Sequence, residues 1–452
     1  MLTETGPHEI RRRDFLKGIG GLAGLAGLFG ADALQAVEAA VQNARGLSPQ
    51  DAARDEAVWG QVQQAFSLSR SLIHLDNGWT SPSPRAVTES LIQYIWEQEH
   101  IPVQEWVEEF RLRLNPVRDA LAKTMDCSSD DIAIVRNATE ALNTVLLGIP
   151  LSAGDEVIHS TQEYGTMMRS LAYRETRDGV KVVKIDLPVA PATMNDILEP
   201  YRKAITPKTK LILVSHIGYL NGQIFPVRAI CDLAHERGVE VVVDGAHAFG
   251  HVTFNIADLG CDYFGTSLHK WLLAPKGTGL LYIRPDRREK IPPLITAPSR
   301  RRAASMRKYE SVGTESYAPR LAIGDAVLFQ NIIGAKRKEE RLRFLSHYWA
   351  ERLVRVPGIR LCSSLAPEMS CGILTVGVDG TVPFALDKYL WEVHRIRTAD
   401  IDDEFSTGAI QGLRVTPNVY TTLSELDRFC EVMEVIAKKG LPEPYTSMKG
   451  PS

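Results

Sequence analysis

Val-Glu-Val-Val-Val-Asp-Gly-Ala-His, residues 239–247, is an apolar run that ends on an acid and then a histidine. A nearly continuous apolar run of this length predicts a strand covered on both faces, as in a parallel sheet. Residues 210–215, Lys-Leu-Ile-Leu-Val-Ser, form a second such run. Ligands of open α/β sheets bind beyond the carboxyl ends of these strands, so residues 216–223 and 244–247 are candidate site segments.

Short strand patterns alternate with helical patterns over most of the chain, which predicts an α/β fold with a mainly parallel sheet. The predicted strands cover residues 132–135, 156–159, 180–185, 211–215, 239–243 and about 262–265, and a helix covers 138–147. A charged helix at 336–355, a strand at 373–378 and a helix after Ser424 indicate a smaller α/β domain. We therefore predict a large domain at 91–324, a small C-terminal domain at 325–452, and an N-terminal segment at 43–90 that packs with the small domain.

Composition narrows the class of protein. The chain has 452 residues, 44% apolar and 24% charged, with a net charge of -3, so it is long enough for two domains and lacks the basic excess of nucleic-acid binders. The cysteines lack zinc-site spacing, although Cys362 and Cys371 are candidates for a disulfide across a hairpin. The acidic run at 400–404 is interpreted as a solvated loop, and no metal is expected.

The N-terminus carries a targeting pattern. Arg11-Arg12-Arg13 precedes an uncharged, Gly-rich run at residues 18–30, which is shorter than the ~20 residues that span a bilayer. The pattern resembles a twin-arginine (Tat) export motif, with Arg11 where Ser or Thr is usual. Residues 1–42 are interpreted as a Tat-type signal peptide and linker, with cleavage within 31–36, which implies a periplasmic or otherwise exported protein and the Tat machinery as a partner.

Two residues predict the chemistry together. Lys270 lies in Thr-Ser-Leu-His-Lys-Trp, residues 266–271, where desolvation would lower its pKa and suit it to forming a Schiff base. Asp244 ends the apolar strand, and a buried carboxylate there can hold a pyridine nitrogen protonated. Taken alone, Lys270 could be a surface lysine and Asp244 a helix cap. Together they indicate one site, in which the lysine binds a pyridine cofactor and the acid pairs with its ring nitrogen.

Asp-Gly-Ala-His at 244–247 and Ser-Leu-His-Lys at 267–270 resemble the signatures of the class V aminotransferases of fold type I. This family includes cysteine desulfurases, kynureninase and isopenicillin N epimerase, and the resemblance extends from about Leu75 to Thr422. It implies a seven-stranded, mainly parallel sheet in the large domain. It also implies pyridoxal 5'-phosphate (PLP) as the cofactor, bound covalently by Lys270 with Asp244 at the pyridine nitrogen.

The resemblance implies roles for further residues. A helix N-terminus offers amide donors and a positive dipole to the cofactor phosphate, and Arg414 offers a planar fork to a substrate carboxylate. Thr314 would reach the phosphate of a neighbouring subunit, which implies a homodimer with shared sites. The implied cofactor residues are Ala138, Thr139, Glu140, Tyr164 (stacked on the ring), Tyr219, His247 (at the phenolic oxygen), Ser267, His269 and Thr314, and the implied substrate residues are Arg414, Arg397 as its competitor, and Asn77.

The motifs are most similar to the isopenicillin N epimerase-like branch, which predicts action at the Cα of an amino acid or amino-acid-containing peptide. Epimerisation, transamination and side-chain elimination stay open, as does the tailoring of an exported, siderophore-type peptide. Cysteine desulfuration is disfavoured because residues 398–412 contain no cysteine. Two alternatives from other classes are a noncatalytic PLP-binding protein and a nucleotide-binding protein, and the second lacks any G-x-G-x-x-G or P-loop.

Overall fold

The structure is a computed structural model that describes residues 28–100, 102–295, 305–402 and 409–450. The twin-arginine pattern and the apolar run through residue 27 lie outside the described residues, as do residues 403–408, which include the last two residues of the acidic run. Residues 400–402 of that run lie in a strand and not in the predicted loop, because they pair with a neighbouring strand.

Strands and helices alternate through the described chain, as the sequence predicts. The strands are β1 (Ile73–His74), β2 (Ile132–Val135), β3 (Glu156–Ser160), β4 (Lys181–Ile185), β5 (Thr209–Ser215), β6 (Glu240–Asp244), β7 (Tyr263–Ser267), β8 (Gly279–Ile283), β9 (Ile359–Leu361), β10 (Leu374–Val378), β11 (Ile396–Arg397), β12 (Ala399–Asp402) and β13 (Gln411–Val415). The helices are α1 (Leu28–Asn43), α2 (Pro49–Ala52), α3 (Glu56–Gln64), α4 (Arg85–His100), α5 (Val103–Met125), α6 (Ala138–Gly148), α7 (Gly165–Asp178), α8 (Met194–Ala204), α9 (Val227–His235), α10 (Ile256–Leu259), α11 (Ala318–Leu321), α12 (Ile323–Ile333), α13 (Ala335–Leu353), α14 (Pro383–His394) and α15 (Leu423–Lys439).

Seven strands form the main sheet, in the order β2-β8-β7-β6-β5-β3-β4. Strands β7, β6, β5, β3 and β4 pair in parallel, while β8 is antiparallel to both of its neighbours. Every residue of β2, β3, β7 and β8 is buried, because helices cover both faces of the sheet. The predicted α/β fold with a seven-stranded, mainly parallel sheet is confirmed.

This topology places the carboxyl ends of β5, β6 and β7 at one edge of the sheet. Ser215 pairs with Asp244 across β5 and β6, and Ser267 ends β7 beside them. Strand β8 passes close to the first turn of α6, where a Cβ on Gly279 would lie 2.6 Å from the Cα of Asn137. Only glycine allows this approach, which brings the N-terminus of α6 to the same edge.

A second, antiparallel sheet has the order β12-β13-β10-β9 and shares a core with α13, α14 and α15. The short strand β1 pairs in parallel with β11. Beyond β1, Asp76 forms an isolated bridge with Thr416. The irregular loop after β1 is therefore held against the C-terminal part of the chain.

The N-terminal helix α1 differs from the predicted leader and linker. Leu34, Val37 and Val41 lie on one helix face and are buried among residues of α3 and α12, since their spacing gives the helix an apolar stripe. Residues 28–42 are thus part of the folded chain. The predicted boundary at 324/325 falls within α12, and the other domain boundaries stay predictions.

The described helices include none whose length and apolar character would let it cross a bilayer. Within the same residues, no three His, Cys, Asp or Glu side chains are grouped to hold a metal ion. All six cysteines are free thiols. The disulfide considered between Cys362 and Cys371 is not formed, because Cys362 Sγ contacts the Gln411 carbonyl and Cys371 Sγ the Glu339 carbonyl.

Candidate active site

Lys270 lies in the turn after β7, and its Nζ is 3.4 Å from Nε2 of His247. Desolvation lowers the pKa of Lys270 to about 8, an effect that the carboxylate of Asp244 opposes and the charge of Arg414 reinforces. About a tenth of the amine is therefore neutral at pH 7, against roughly one part in 3000 at the ordinary pKa of lysine, which suits a nucleophile and a proton acceptor.

Asp244 ends β6 and is 5% exposed. Its Oδ1 accepts a hydrogen bond of 3.0 Å from the amide of Ala246. Burial raises the pKa of Asp244, while this amide and the charge of Lys270 act in the other direction. A positive group beside it would stabilise the charged form of this buried carboxylate. The sequence predicts a pyridine nitrogen in that position.

The N-terminus of α6 forms an anion-binding corner. Asn137 caps the helix by accepting from the amide of Glu140 at 2.9 Å, and the amide of Ala138 donates to the hydroxyl of Ser267 at 3.0 Å. Helix dipole, amides and hydroxyl groups, including that of Thr139 in the first turn, suit a phosphate. The Glu140 carboxylate pairs with Arg136, with an Nε to Oε2 distance of 3.0 Å, and the predicted contact of the Glu140 backbone with a phosphate stays a prediction.

His269 precedes Lys270 and its Nδ1 lies 3.3 Å from the carbonyl of Thr278. Burial and the neighbouring charge of Lys270 lower the pKa of His269 to about 4, so the ring is neutral. Its own carbonyl accepts from the amide of Ser81 at 3.1 Å. His269 therefore joins the turn of Lys270 to the loop that follows β1.

Tyr164 and Tyr219 contact each other, and the backbone of Tyr219 also contacts Arg414. Tyr164, at the start of α7, is 44% exposed. Its ring meets that of Tyr219 edge-on with centroids 5.3 Å apart. The contact leaves nearly half of the Tyr164 side chain exposed, and its predicted stacking on the cofactor ring stays a prediction.

Arg414 lies on β13 with its guanidinium facing Lys270's site. Its NH2 pairs with Asp76 at 3.1 Å and its NH1 donates to the carbonyl of Tyr219 at 3.2 Å. The buried Nε has no hydrogen-bond partner within the described residues. The backbone of Gly78 passes so near that a Cβ there would lie 3.2 Å from Cζ. The fork is thus fixed in orientation by bonds from two of its five N–H donors, which leaves donors for a carboxylate ligand.

The structure does not bring the two other predicted substrate residues into this role. Arg397 extends to Asp387, at 3.4 Å, and over the ring of Trp391. Asn77 is fully buried, with its amide nitrogen on the Thr416 carbonyl at 2.8 Å and its oxygen bonded to the Tyr420 hydroxyl. Both predictions are corrected: Arg397 is bound elsewhere, and Asn77 anchors the loop because its polar atoms are already occupied.

Thr314 is exposed at the protein surface, and its predicted contact with a neighbouring subunit stays a prediction.

Sequence reasoning missed Asp76 and Trp271. Asp76 orients Arg414, and Trp271 donates from its indole nitrogen to His247 Nδ1 at 3.2 Å. The sequence held a signal for Trp271, which adjoins Lys270, but none for Asp76, which is 338 positions from its partner.

The family model for "Aminotransferase class-V" matches residues 73–398, more than half of the chain. The chain belongs to this family. The family depends on PLP, which is therefore the cofactor of this enzyme. The described residues fit that group, since they provide a desolvated amine, a buried acid and a helix N-terminus with a hydroxyl beside it at one edge of the sheet.

Individual relatives agree with the family. The chain is similar to isopenicillin N epimerase from Streptomyces clavuligerus, with 29% identity over 84% of this chain and 98% of the relative. It is also similar to the isopenicillin N epimerase of Amycolatopsis lactamdurans, with 30% identity over 84% and 99%. The apo cysteine desulfurase of Thermococcus onnurineus NA1 shares the fold, with a TM-score of 0.75, 23% identity, and coverage of 84% and 98% of the two chains.

Proposed function

We propose that this class V enzyme transfers a proton at the Cα of an amino acid, or of a peptide with a free α-amino acid unit, with epimerisation as the leading reaction. The desolvated amine of Lys270, close enough to Asp244 and Arg414 for both charges to act on its pKa, is the observation that carries the proposal. Two relatives of similar length that are named isopenicillin N epimerases support it.

PLP, when bound, supplies an electron sink that stabilises negative charge at the substrate Cα. Within the chain, Asp244 would hold the positive charge of the cofactor's ring nitrogen and the α6 N-terminus would bind its phosphate. Arg414 orients a carboxylate. Lys270 has a pKa of about 8, so the same group can both accept a proton and donate it near neutral pH. A base whose pKa lies near the working pH is efficient in both directions.

The thiols argue against cysteine desulfuration as the alternative reaction. A sulfur-accepting cysteine works as a thiolate, which requires a lowered pKa and exposure. Burial instead raises the pKa of Cys371 to about 12, and it raises the pKa values of the other five thiols as well, namely Cys127, Cys231, Cys261, Cys362 and Cys430.

The test is proton exchange in deuterated water. Holoenzyme is mixed with L- and D-amino acids and with short peptides, and the α-proton signal is followed by NMR together with chiral analysis. Loss of the α-proton with inversion supports epimerisation, whereas formation of a keto acid or of a side-chain fragment assigns transamination or elimination. Full retention of every α-proton with an intact cofactor band would contradict the proposal.

Arg414→Lys is expected to raise the KM for a substrate carboxylate by about 10- to 100-fold, because lysine cannot form two parallel hydrogen bonds to it. The turnover number should change less. Arg397→Lys is the matched control and should leave KM unchanged, since Arg397 pairs with Asp387. Steady-state kinetics on the best substrate of the exchange screen measures both, and equal effects of the two changes would contradict the assignment.

We also propose a homodimer in which Thr314 contacts the partner's site. Ile92, Ile95 and Trp96 form an exposed apolar stripe on α4. Gln98 of the same helix accepts from the amide of Tyr317 at 2.6 Å, so the stripe adjoins the Thr314 segment. Trp96→Asp should dissociate the dimer in sedimentation velocity, whereas Val435→Asp, at an exposed apolar position on α15, should not. A monomeric unaltered chain would contradict this proposal.

The leader-like N-terminus supports export of the folded enzyme as a further part of the proposal. An exported enzyme of this kind has peptide substrates, including siderophore-type natural products, as candidates beside free amino acids. The exposed side chain of Tyr164 offers contact area to a substrate larger than a single amino acid.

A further inference from the structure

One imidazole joins Lys270 to the residue that follows it. The indole of Trp271 is fully buried, and its Nε1–H donates to Nδ1 of His247 at 3.2 Å. The other ring nitrogen of His247, Nε2, lies 3.4 Å from Nζ of Lys270. The two nitrogens of His247 therefore face two different partners. Lys270 can change its protonation state, whereas the indole of Trp271 always donates.

We propose that Trp271 is a positioning residue that fixes the tautomer of His247, so that His247 presents an Nε2–H to the nitrogen of Lys270. An indole nitrogen only donates, so Nδ1 of His247 must act as the acceptor. Burial and the charge of Lys270 keep the pKa of His247 well below its usual value, so the ring is neutral. A neutral imidazole whose Nδ1 accepts carries its proton on Nε2.

The indole is itself held in place. His251 stacks on it with ring centroids 3.9 Å apart and an interplanar angle of 16°. Nε2 of His251 accepts from the amide of Gly372 at 2.8 Å, so its Nδ1 donates to the His247 carbonyl, at 2.7 Å. The buried ammonium group of Lys338 bonds to the carbonyl of Trp271. The indole N–H has no freedom to turn away from His247.

This arrangement favours a neutral Lys270 nitrogen. An ammonium at Lys270 would direct its own hydrogens at Nε2–H, whereas a neutral nitrogen accepts from it. Loss of the indole N–H would let His247 exchange tautomers and present a bare Nε2, which accepts from a protonated partner. The inference rests on the proposed role of Lys270 and explains how the chain tunes the protonation of that nitrogen.

The experiment compares holoenzyme with Trp271→Phe and with a variant in which Trp271 is replaced by benzothienylalanine. The second keeps the bicyclic ring and loses only the N–H, so it separates tautomer from packing. We expect the pH midpoint of the cofactor's visible band to rise by about one unit in both, the size of effect that a hydrogen bond next to a charge contributes. Nitrogen NMR of histidine-labelled protein should show only the Nε2–H tautomer of His247 in the unaltered chain and a mixture of the Nδ1–H and Nε2–H tautomers in the variants.

His247→Gln provides the rescue test, because an amide nitrogen donates whatever Trp271 does. On that background, removal of the indole N–H should leave the midpoint unchanged, a non-additivity that a purely structural role of Trp271 would not produce. An equal shift on both backgrounds, or an unaltered NMR pattern in the variants, would overturn the inference. Neither readout needs a substrate, so failure of the proposed reaction leaves the result interpretable.

Discussion

Lys270→Ala is expected to abolish the covalent cofactor band and to lower the rate of α-proton exchange by about 10³-fold or more. The change removes the amine that binds the cofactor and also removes the proton acceptor, and general base catalysis alone contributes ~10²- to 10⁴-fold. Phosphate binding at the α6 N-terminus does not need the amine, so the variant should still bind PLP noncovalently. Absorption spectroscopy and the exchange assay measure the two losses separately.

Lys276→Ala is the matched control for this prediction. Lys276 belongs to the same loop and donates to the carbonyl of Ser81 at 2.9 Å, so its loss tests general damage to the loop. It should retain the visible band. A Lys270→Ala enzyme that keeps both the band and exchange would contradict the assignment, and a band that depends on Lys270 without exchange by the unaltered enzyme would favour a noncatalytic PLP-binding protein.

Local sequence was sufficient for the parts of the site that lie on regular strands. The apolar run before Asp244 could only be a covered strand, and the observed strand, Glu240–Asp244, differs from the predicted one by a single position at each end. Because β5, β6 and β7 are parallel, residues just after them had to meet at one edge. This rule pointed to residues 244–247, whereas Lys270 was paired with Asp244 through the chemistry of the two side chains and Ser267 was added by the family resemblance.

The same reasoning could not predict the contacts of residues on irregular segments. Asp76 and Asn77 are neighbours on a loop without periodicity, and the pattern could not tell which side chain faces Arg414 and which is buried against Tyr420. The choice between Arg397 and Arg414 also depended on pairing, since Arg397 lies on β11 beside β1, whereas Arg414 pairs with Ala399 on β12. Contacts between residues more than 300 positions apart are set by packing, which short patterns do not encode.

Helix α1 supports a second prediction with a large effect. A chain that begins at Leu28 should fold like the full chain, whereas one that begins at Ala44 should lose about 5 kcal/mol of stability. The deleted segment buries Leu34, Val37 and Val41, and a fully buried aliphatic side chain contributes ~1.5–3 kcal/mol. Thermal unfolding and soluble yield of the two chains provide the measurement.

Two substitutions in the full chain make the test independent of truncation. Val37→Asp places a charge at a position that is 0% exposed, and should destabilise the protein by several kcal/mol. Gln35→Asp, on the exposed side of the same helix, should be nearly neutral. Equal stability of the two variants would show that α1 does not contribute to the fold.

The same helix constrains the processing of an exported enzyme. Cleavage within residues 31–36 would remove the first turns of α1, including Leu34, and expose the apolar side chains of α3 and α12 that this helix covers. If the chain is exported, as proposed, we therefore expect it to keep α1 and any cleavage to fall before Leu28. Intact-mass measurement of the protein recovered from the periplasmic fraction gives its N-terminus directly, and a stable, active enzyme that begins after Ala36 would contradict the contribution assigned to α1.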